Sequence, residues 1–206
     1  MDKPEISMPT DSGYFERMFD GNDDPWCFQS RWYEERKRAL TLAALPQRRY
    51  ARAYEPGCAN GELSAGLALR CDSLLCSDGT PRAVELARER LAAQAHVRVT
   101  QAWVPDDWPD GQFDLIVISE LGYFLSAEAL DRVAGQTRAS LAPGGTVLAC
   151  HWRWPIEACE LGGDAVSARL AAGLQLPLAT TIVDRDFRLD LWFGDGRSLG
   201  QLEGLV

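Results

Sequence analysis

The stretch Tyr54-Glu55-Pro56-Gly57-Cys58-Ala59-Asn60-Gly61 decides how this chain is read, because an apolar run ends there in an acid and a turn of small residues. Ala51 to Glu55 reads as a strand and Pro56 to Gly61 as a loop, and the spacing of Leu63, Leu67 and Leu69 carries a helix to Arg70. Small residues at such a turn let a ligand approach the backbone, whose N–H groups at a helix start are ready donors. A dinucleotide fingerprint would need glycines at positions 59 and 62. These hold Ala59 and Glu62, so a nicotinamide-dependent oxidoreductase is set aside.

Downstream of this loop, strands and helices alternate. Leu74 to Ser77 reads as a second strand, ended by Asp78, where an acid in nucleoside-binding α/β folds accepts hydrogen bonds from ribose hydroxyls. Pro81 opens a helix through Val84, Leu86, Ala87 and Leu91, and Val97 to Gln101 is a third strand. Phe113 to Ser119, with Leu115, Ile116, Val117 and Ile118 uninterrupted, has the pattern of a central strand covered on both faces. A helix over Ala127 to Leu141 stops at Pro143-Gly144-Gly145, and Thr146 to Cys150 is a fifth strand. Thr180 to Asp184 and Phe187 to Phe193 are joined by too few residues for a parallel crossover and must pair as an antiparallel hairpin. The expected fold is therefore α/β and Rossmann-like, a mostly parallel seven-stranded sheet closed by a C-terminal antiparallel hairpin.

Upstream, Tyr14, Phe15, Met18 and Phe19 form one helical stripe, and Leu40, Leu42 and Leu45 form another, with a turn at Asp23-Asp24-Pro25-Trp26 between them. The expected organisation is one domain over residues 1–206. It has a flexible lead (1–13), a helical lid (14–45), a Rossmann-like core (46–193) and a tail (194–206).

At 206 residues, with 46% hydrophobic and 25% charged side chains, the chain fits one globular core, and no apolar run has a membrane helix's length. Met1 to Thr10 lacks the pattern of a secretory signal, which leaves a cytoplasmic location as the expectation. A formal charge of -9 argues against a nucleic-acid partner, despite the basic stretch from Arg31 to Arg52. Six cysteines without a C-x-x-C pair, and two histidines, argue against a metal site and are expected as reduced apolar residues.

Taken together, Asp24-Pro25-Trp26, Tyr33-Glu34 with Lys37, Glu55-Pro56-Gly57-Cys58, Asp78, Phe113 to Glu120, Leu141-Ala142-Pro143-Gly144-Gly145 and Asp186 to Trp192 carry a resemblance. The chain resembles the class I S-adenosylmethionine-dependent methyltransferases, most closely the nodulation protein S (NodS) group of N-methyltransferases, from Asp24 to Phe193. The resemblance implies S-adenosyl-L-methionine as cofactor, with S-adenosyl-L-homocysteine as product. It implies that Glu55 and the Gly57-Cys58 loop meet the methionine moiety and that Asp78, beside Gly79, holds the ribose. Gln101, Ala102 and Trp103 would flank the adenine, and Ser119, Glu120 and Leu121 would lie where cofactor and acceptor meet. Trp26 and Lys37 match positions that close over the cofactor and reach its carboxylate. Two departures stand out: Ala59 replaces the usual middle glycine, and Gln101 stands where family members often carry an acid.

The reaction so implied is an in-line displacement onto a small-molecule acceptor, most simply an amine such as an amino sugar or oligosaccharide, by a monomer or weak homodimer. Glu120, His151 and Tyr123 are the candidates for taking the amine's proton. The competing reading is a non-catalytic binding or scaffold protein that keeps the fold. Ala59 and Gln101 favour it, and the acids at the strand ends oppose it.

Overall fold

A computed structural model describes residues 12–206. Most of the lead expected to be flexible, residues 1–11, lies outside the described residues. Two helices come first, α1 (Ser12–Phe19) and α2 (Trp32–Ala44). The core then runs β1 (Ala53–Pro56), α3 (Glu62–Ala68), β2 (Leu74–Asp78), α4 (Pro81–Leu91), β3 (Val97–Gln101) and β4 (Phe113–Ser119). After a single 3-10 turn at Gly122–Phe124 come α5 (Ala127–Ser140), β5 (Leu141–Trp152), α6 (Gly163–Leu174), β6 (Leu178–Val183), β7 (Phe187–Phe193) and α7 (Leu199–Leu202).

The strands form one sheet in the order β3-β2-β1-β4-β5-β7-β6. The first five are parallel, and β7 runs antiparallel to both β5 and β6. The mostly parallel sheet with its C-terminal hairpin is thus the architecture expected from the sequence. Strand periodicity explains why β4 sits at its centre. Leu115 and Val117 pack with Leu67, Val84 and Leu148 on one face, while Ile116 and Ile118 pack with Leu130, Val133 and Leu170 on the other.

Three elements differ from the sequence reading, the short α7 in the expected tail among them. The fifth strand starts at Leu141 rather than Thr146, because Leu141 already pairs with Phe113 and the ladder resumes at Leu115 opposite Thr146. Pro143-Gly144-Gly145 is absorbed as an irregularity in the strand, Gly144 taking a φ of +73°. The second difference is α6, which was not expected. Its stripe of Val166, Leu170 and Leu174 is fully buried against α5 and β5. All six cysteines are free, and no described helix is long and apolar enough to cross a membrane.

Candidate functional site

Parallel strands that reverse direction of winding leave a crevice at their carboxyl ends. Here β1 and β4 are neighbours in the sheet, and the loops leaving β1, β2, β3, β4 and β5 face a cavity of about 1100 Å³ roofed by α1, α2 and the turn between them.

Gly57 turns the chain out of β1 with a φ of +71°, and a side chain there would come within 3.2 Å of Leu121. Its N–H and that of Cys58 donate to the Ser77 carbonyl, at 2.7 and 3.0 Å, fastening the loop to the end of β2. Ala59 adopts a left-handed φ of +47°, a strained choice for a residue with a Cβ. The conformation aims its N–H at Asp78 Oδ2, 3.0 Å away, and Thr80 donates to Asp78 Oδ1 at 2.9 Å. Burial raises the Asp78 pKa, and these two N–H groups oppose the shift without cancelling it. Beside it, Gly79 has no room for a methyl group: a Cβ would lie 2.2 Å from the Trp103 indole. Gly57, Ala59, Asp78, Gly79, Ala102, Trp103 and Leu121 all line the cavity.

Other residues expected at the site lie behind its wall. Glu55 points to the α3 side of the sheet, where it accepts from Ser64 Oγ at 2.5 Å and from Cys76 Sγ at 3.7 Å. Enclosure there pushes its pKa up to about 7. Cys58 is buried in the same apolar cluster, and Ser119 is not on the cavity wall. Gln101 is solvent-exposed and donates to the Gly79 carbonyl at 3.1 Å, which steadies the loop beside Trp103.

At the end of β4, Glu120 takes a φ of +53°, unusual for a side-chain-bearing residue and typical of functional turns. Its carboxylate holds three donors. Lys37 Nζ lies 2.6 Å from Oε1, while the Tyr123 hydroxyl and the Trp152 N–H, the latter at 3.0 Å, donate to Oε2. Burial pushes the Glu120 pKa up, but the Lys37 charge, the nearby His151 and the hydrogen bonds from Lys37 and Tyr123 outweigh it and lower it overall. Lys37 also pairs with Glu34 at 3.0 Å and sits over the Tyr33 ring at 4.9 Å. Burial lowers the Lys37 pKa, yet its two carboxylate partners raise it overall.

His151 does not reach the cavity. Its Nε2 accepts the Gly122 N–H at 3.0 Å, so the lone pair a base would use is occupied, and burial lowers its pKa to about 4. Tyr123 lines the cavity with its proton committed to Glu120, and burial raises its pKa well above that of a free phenol. Of the three candidates for proton removal, His151 is thus a structural support of the turn after β4.

Above the site, Trp26 stacks on Phe28 at 5.5 Å and meets Phe19 edge-on at 5.6 Å. Phe15 contacts Trp103 and Phe124 at 6.2 and 5.0 Å, completing an aromatic roof. The turn at its base is tied down. Asp24 accepts the Phe28 N–H at 2.8 Å, Asn60 donates to Asp24 at 3.2 Å, and Arg82 pairs with Asp23 at 2.8 Å. Glu34 was the residue to find from the sequence. Its i,i+3 spacing from Lys37 on a helix was visible, but not that both reach the cavity.

Comparison with known proteins fits this geometry. Residues 12–170 match the family described as nodulation protein S (NodS). Nodulation protein S of Rhizobium tropici is 36% identical over 125 residues, which are 60% of this chain and 52% of that protein. The Bradyrhizobium diazoefficiens protein is 32% identical over 160 residues, 74% of this chain and 73% of its own. The match thus spans about half the length of the Rhizobium tropici relative. A crystal structure from Pseudomonas syringae, provisionally named a methyltransferase, is 55% identical with a TM-score of 0.72, covering 79% of this chain and 99% of that one. The N-methyltransferase NodS from Bradyrhizobium japonicum WM9, in complex with S-adenosyl-L-homocysteine, shares the fold. It has a TM-score of 0.74 at 24% identity, covering 91% of this chain and 98% of that one.

Proposed function

The chain belongs to the nodulation protein S family, and from that premise we propose that it is a methyltransferase that uses S-adenosyl-L-methionine to methylate a small-molecule amine. The observation that carries this is the paired setting of Asp78 and Gly79 on the cavity wall: a strand-end carboxylate steadied by two backbone N–H groups, beside a glycine against whose backbone the Trp103 indole packs. Two ribose hydroxyls fit such a carboxylate, and a purine fits against Trp103. The cavity is large enough for a nucleoside and an acceptor together.

The bound cofactor supplies an activated methyl group on a sulfonium. The chain's part is to hold the partners in line and exclude water. Asp78 would fix the ribose, Gly57 and Ala59 would let the cofactor approach the loop, and the Phe15, Trp26 and Phe28 roof would close over it. Lys37, with two of its three protons committed to Glu34 and Glu120, keeps one for the cofactor's carboxylate. An amino sugar or short oligosaccharide is the acceptor class that the sequence resemblance suggests.

Calorimetric titration with S-adenosyl-L-homocysteine tests the reading without the acceptor. Micromolar one-to-one binding is expected, and Asp78→Ala should weaken it by about 1.5–3 kcal/mol, the range for hydrogen bonds to a charged group. Absence of binding by the unaltered protein would overturn the assignment in favour of a non-catalytic scaffold.

A further inference from the structure

Resting on the methyltransferase reading, we propose that Glu34 is the residue that receives the acceptor's ammonium group and takes its proton. Three other acids on the cavity wall are more heavily engaged: Glu120 holds three donors, Asp78 holds two backbone N–H groups, and Asp106 pairs with Arg132 at 2.6 Å. Asp186 accepts the Trp154 indole N–H at 2.8 Å but lies in the turn between β6 and β7, apart from the Lys37 cluster. Among the described residues the Glu34 carboxylate is bonded to Lys37 alone, at 3.0 and 3.2 Å, and on the cavity wall it keeps lone pairs to spare.

Two further observations point to a cationic ligand at this place. Glu34 and Glu120 share one lysine, so the buried cluster carries a net negative charge that an ammonium would balance. The adjoining Tyr33, also on the cavity wall, has a buried hydroxyl with no hydrogen-bond partner among the described residues. The charged and titratable groups acting on Glu34 are Lys37 and Arg38 from its own helix and Glu120 from the end of β4. Burial outweighs the two cations and raises the Glu34 pKa, which makes its carboxylate a readier proton acceptor than Glu120.

The step balances. The ammonium gives one proton to the Glu34 carboxylate and becomes a neutral amine, whose lone pair forms the new C–N bond as the C–S bond breaks. The C–S electron pair stays on sulfur, the positive charge passes to the methylated nitrogen, and Glu34 later releases its proton to water.

The test uses the complex with S-adenosyl-L-homocysteine, with glucosamine as the ammonium probe and N-acetylglucosamine as the control that lacks an amine. In protein carrying ¹³C at the glutamate carboxyls, the resonance lost in Glu34→Gln identifies Glu34. Glucosamine should lower its titration midpoint by about half a pH unit or more, and N-acetylglucosamine should leave it in place. Glu34→Gln should keep S-adenosyl-L-homocysteine affinity within about threefold. An unresponsive Glu34 resonance in the wild-type complex overturns the proposal. So does a more than roughly tenfold loss of S-adenosyl-L-homocysteine affinity in Glu34→Gln, which would place Glu34 on the cofactor's own ammonium. If that variant does not fold, Glu34→Asp identifies the resonance and the wild-type titration decides. Failure of the wild type to bind S-adenosyl-L-homocysteine at all is a separate result, which removes the methyltransferase reading and this proposal with it.

Discussion

Replacing Lys37 by methionine isolates what the buried charge cluster costs and supplies. Lys37 is 5% exposed, and its ammonium lies 2.6 Å from Glu120 and 3.0 Å from Glu34. Methionine keeps most of the apolar stem and deletes the charge, leaving two buried carboxylates without a counter-ion. Breaking a buried pair in this way costs about 3–5 kcal/mol, which for a domain of this size lowers Tm by roughly 6–20 °C. The pH dependence carries the sharper signature. In the wild type the raised Lys37 pKa gives stability that is present below the ordinary lysine value of ~10.4 and lost above it. The lowered Glu120 pKa gives stability that is present above ~4.3 and lost on acidification. Neither contribution changes much between about pH 5 and 8. In Lys37→Met both carboxylates should have native pKa values above their unfolded ones, so stability falls as pH rises through that window. Urea unfolding at pH 5, 6.5 and 8 should show a deficit that is small at the acid end and full at pH 8. A deficit under about 1 kcal/mol at pH 8, or an equal one at both ends, would show that Lys37 is not the counter-ion that holds the two carboxylates.

Two other predictions concern the loop after β1 and the acid behind it. Ala59→Gly should raise stability by about 0.5 kcal/mol, the relief of left-handed strain exceeding the added freedom of the unfolded chain, whereas Ala59→Val should lower it by about 1–2 kcal/mol. Thermal unfolding of the pair checks the sign. Glu55, with a native pKa pushed up to about 7, contributes stability below its unfolded pKa of ~4.3 that is lost as pH rises through 7. Glu55→Gln should therefore gain roughly 2–3 kcal/mol on the wild type between pH 5 and pH 8, and parallel denaturation curves for the two proteins would count against it.

Strand placement was legible because β4 is an unbroken apolar run and because Asp184-Arg185-Asp186 is too short to cross over. Helix α6 was harder to see, since its buried Val166, Leu170 and Leu174 are spaced by alanine and glycine that carry little amphipathic contrast. Asp78 and Gly57 were visible as an acid and a glycine at strand ends, where parallel sheets bind ligands. Side-chain direction was not. The local pleat turns Glu55 toward Ser64 and away from the cavity, and only the turn after β4 shows that His151 supports Gly122. The Lys37–Glu120 contact joins residues 83 positions apart and has no local signal at all.

The antiparallel seating of β7 also bears on how such a protein can diversify. Running β7 backwards brings the turn between β6 and β7 to the same end of the sheet as the carboxyl ends of the parallel strands, where Asp184 grips Arg36 and Asp186 meets the cavity. The elements that would hold the nucleoside are β1, β2 and β3, at the opposite side of the sheet. On the proposed reading, a graft that lengthens the β6–β7 turn would reshape one compartment of the cavity at a distance from the other, which would give the fold a built-in place to exchange one acceptor for another.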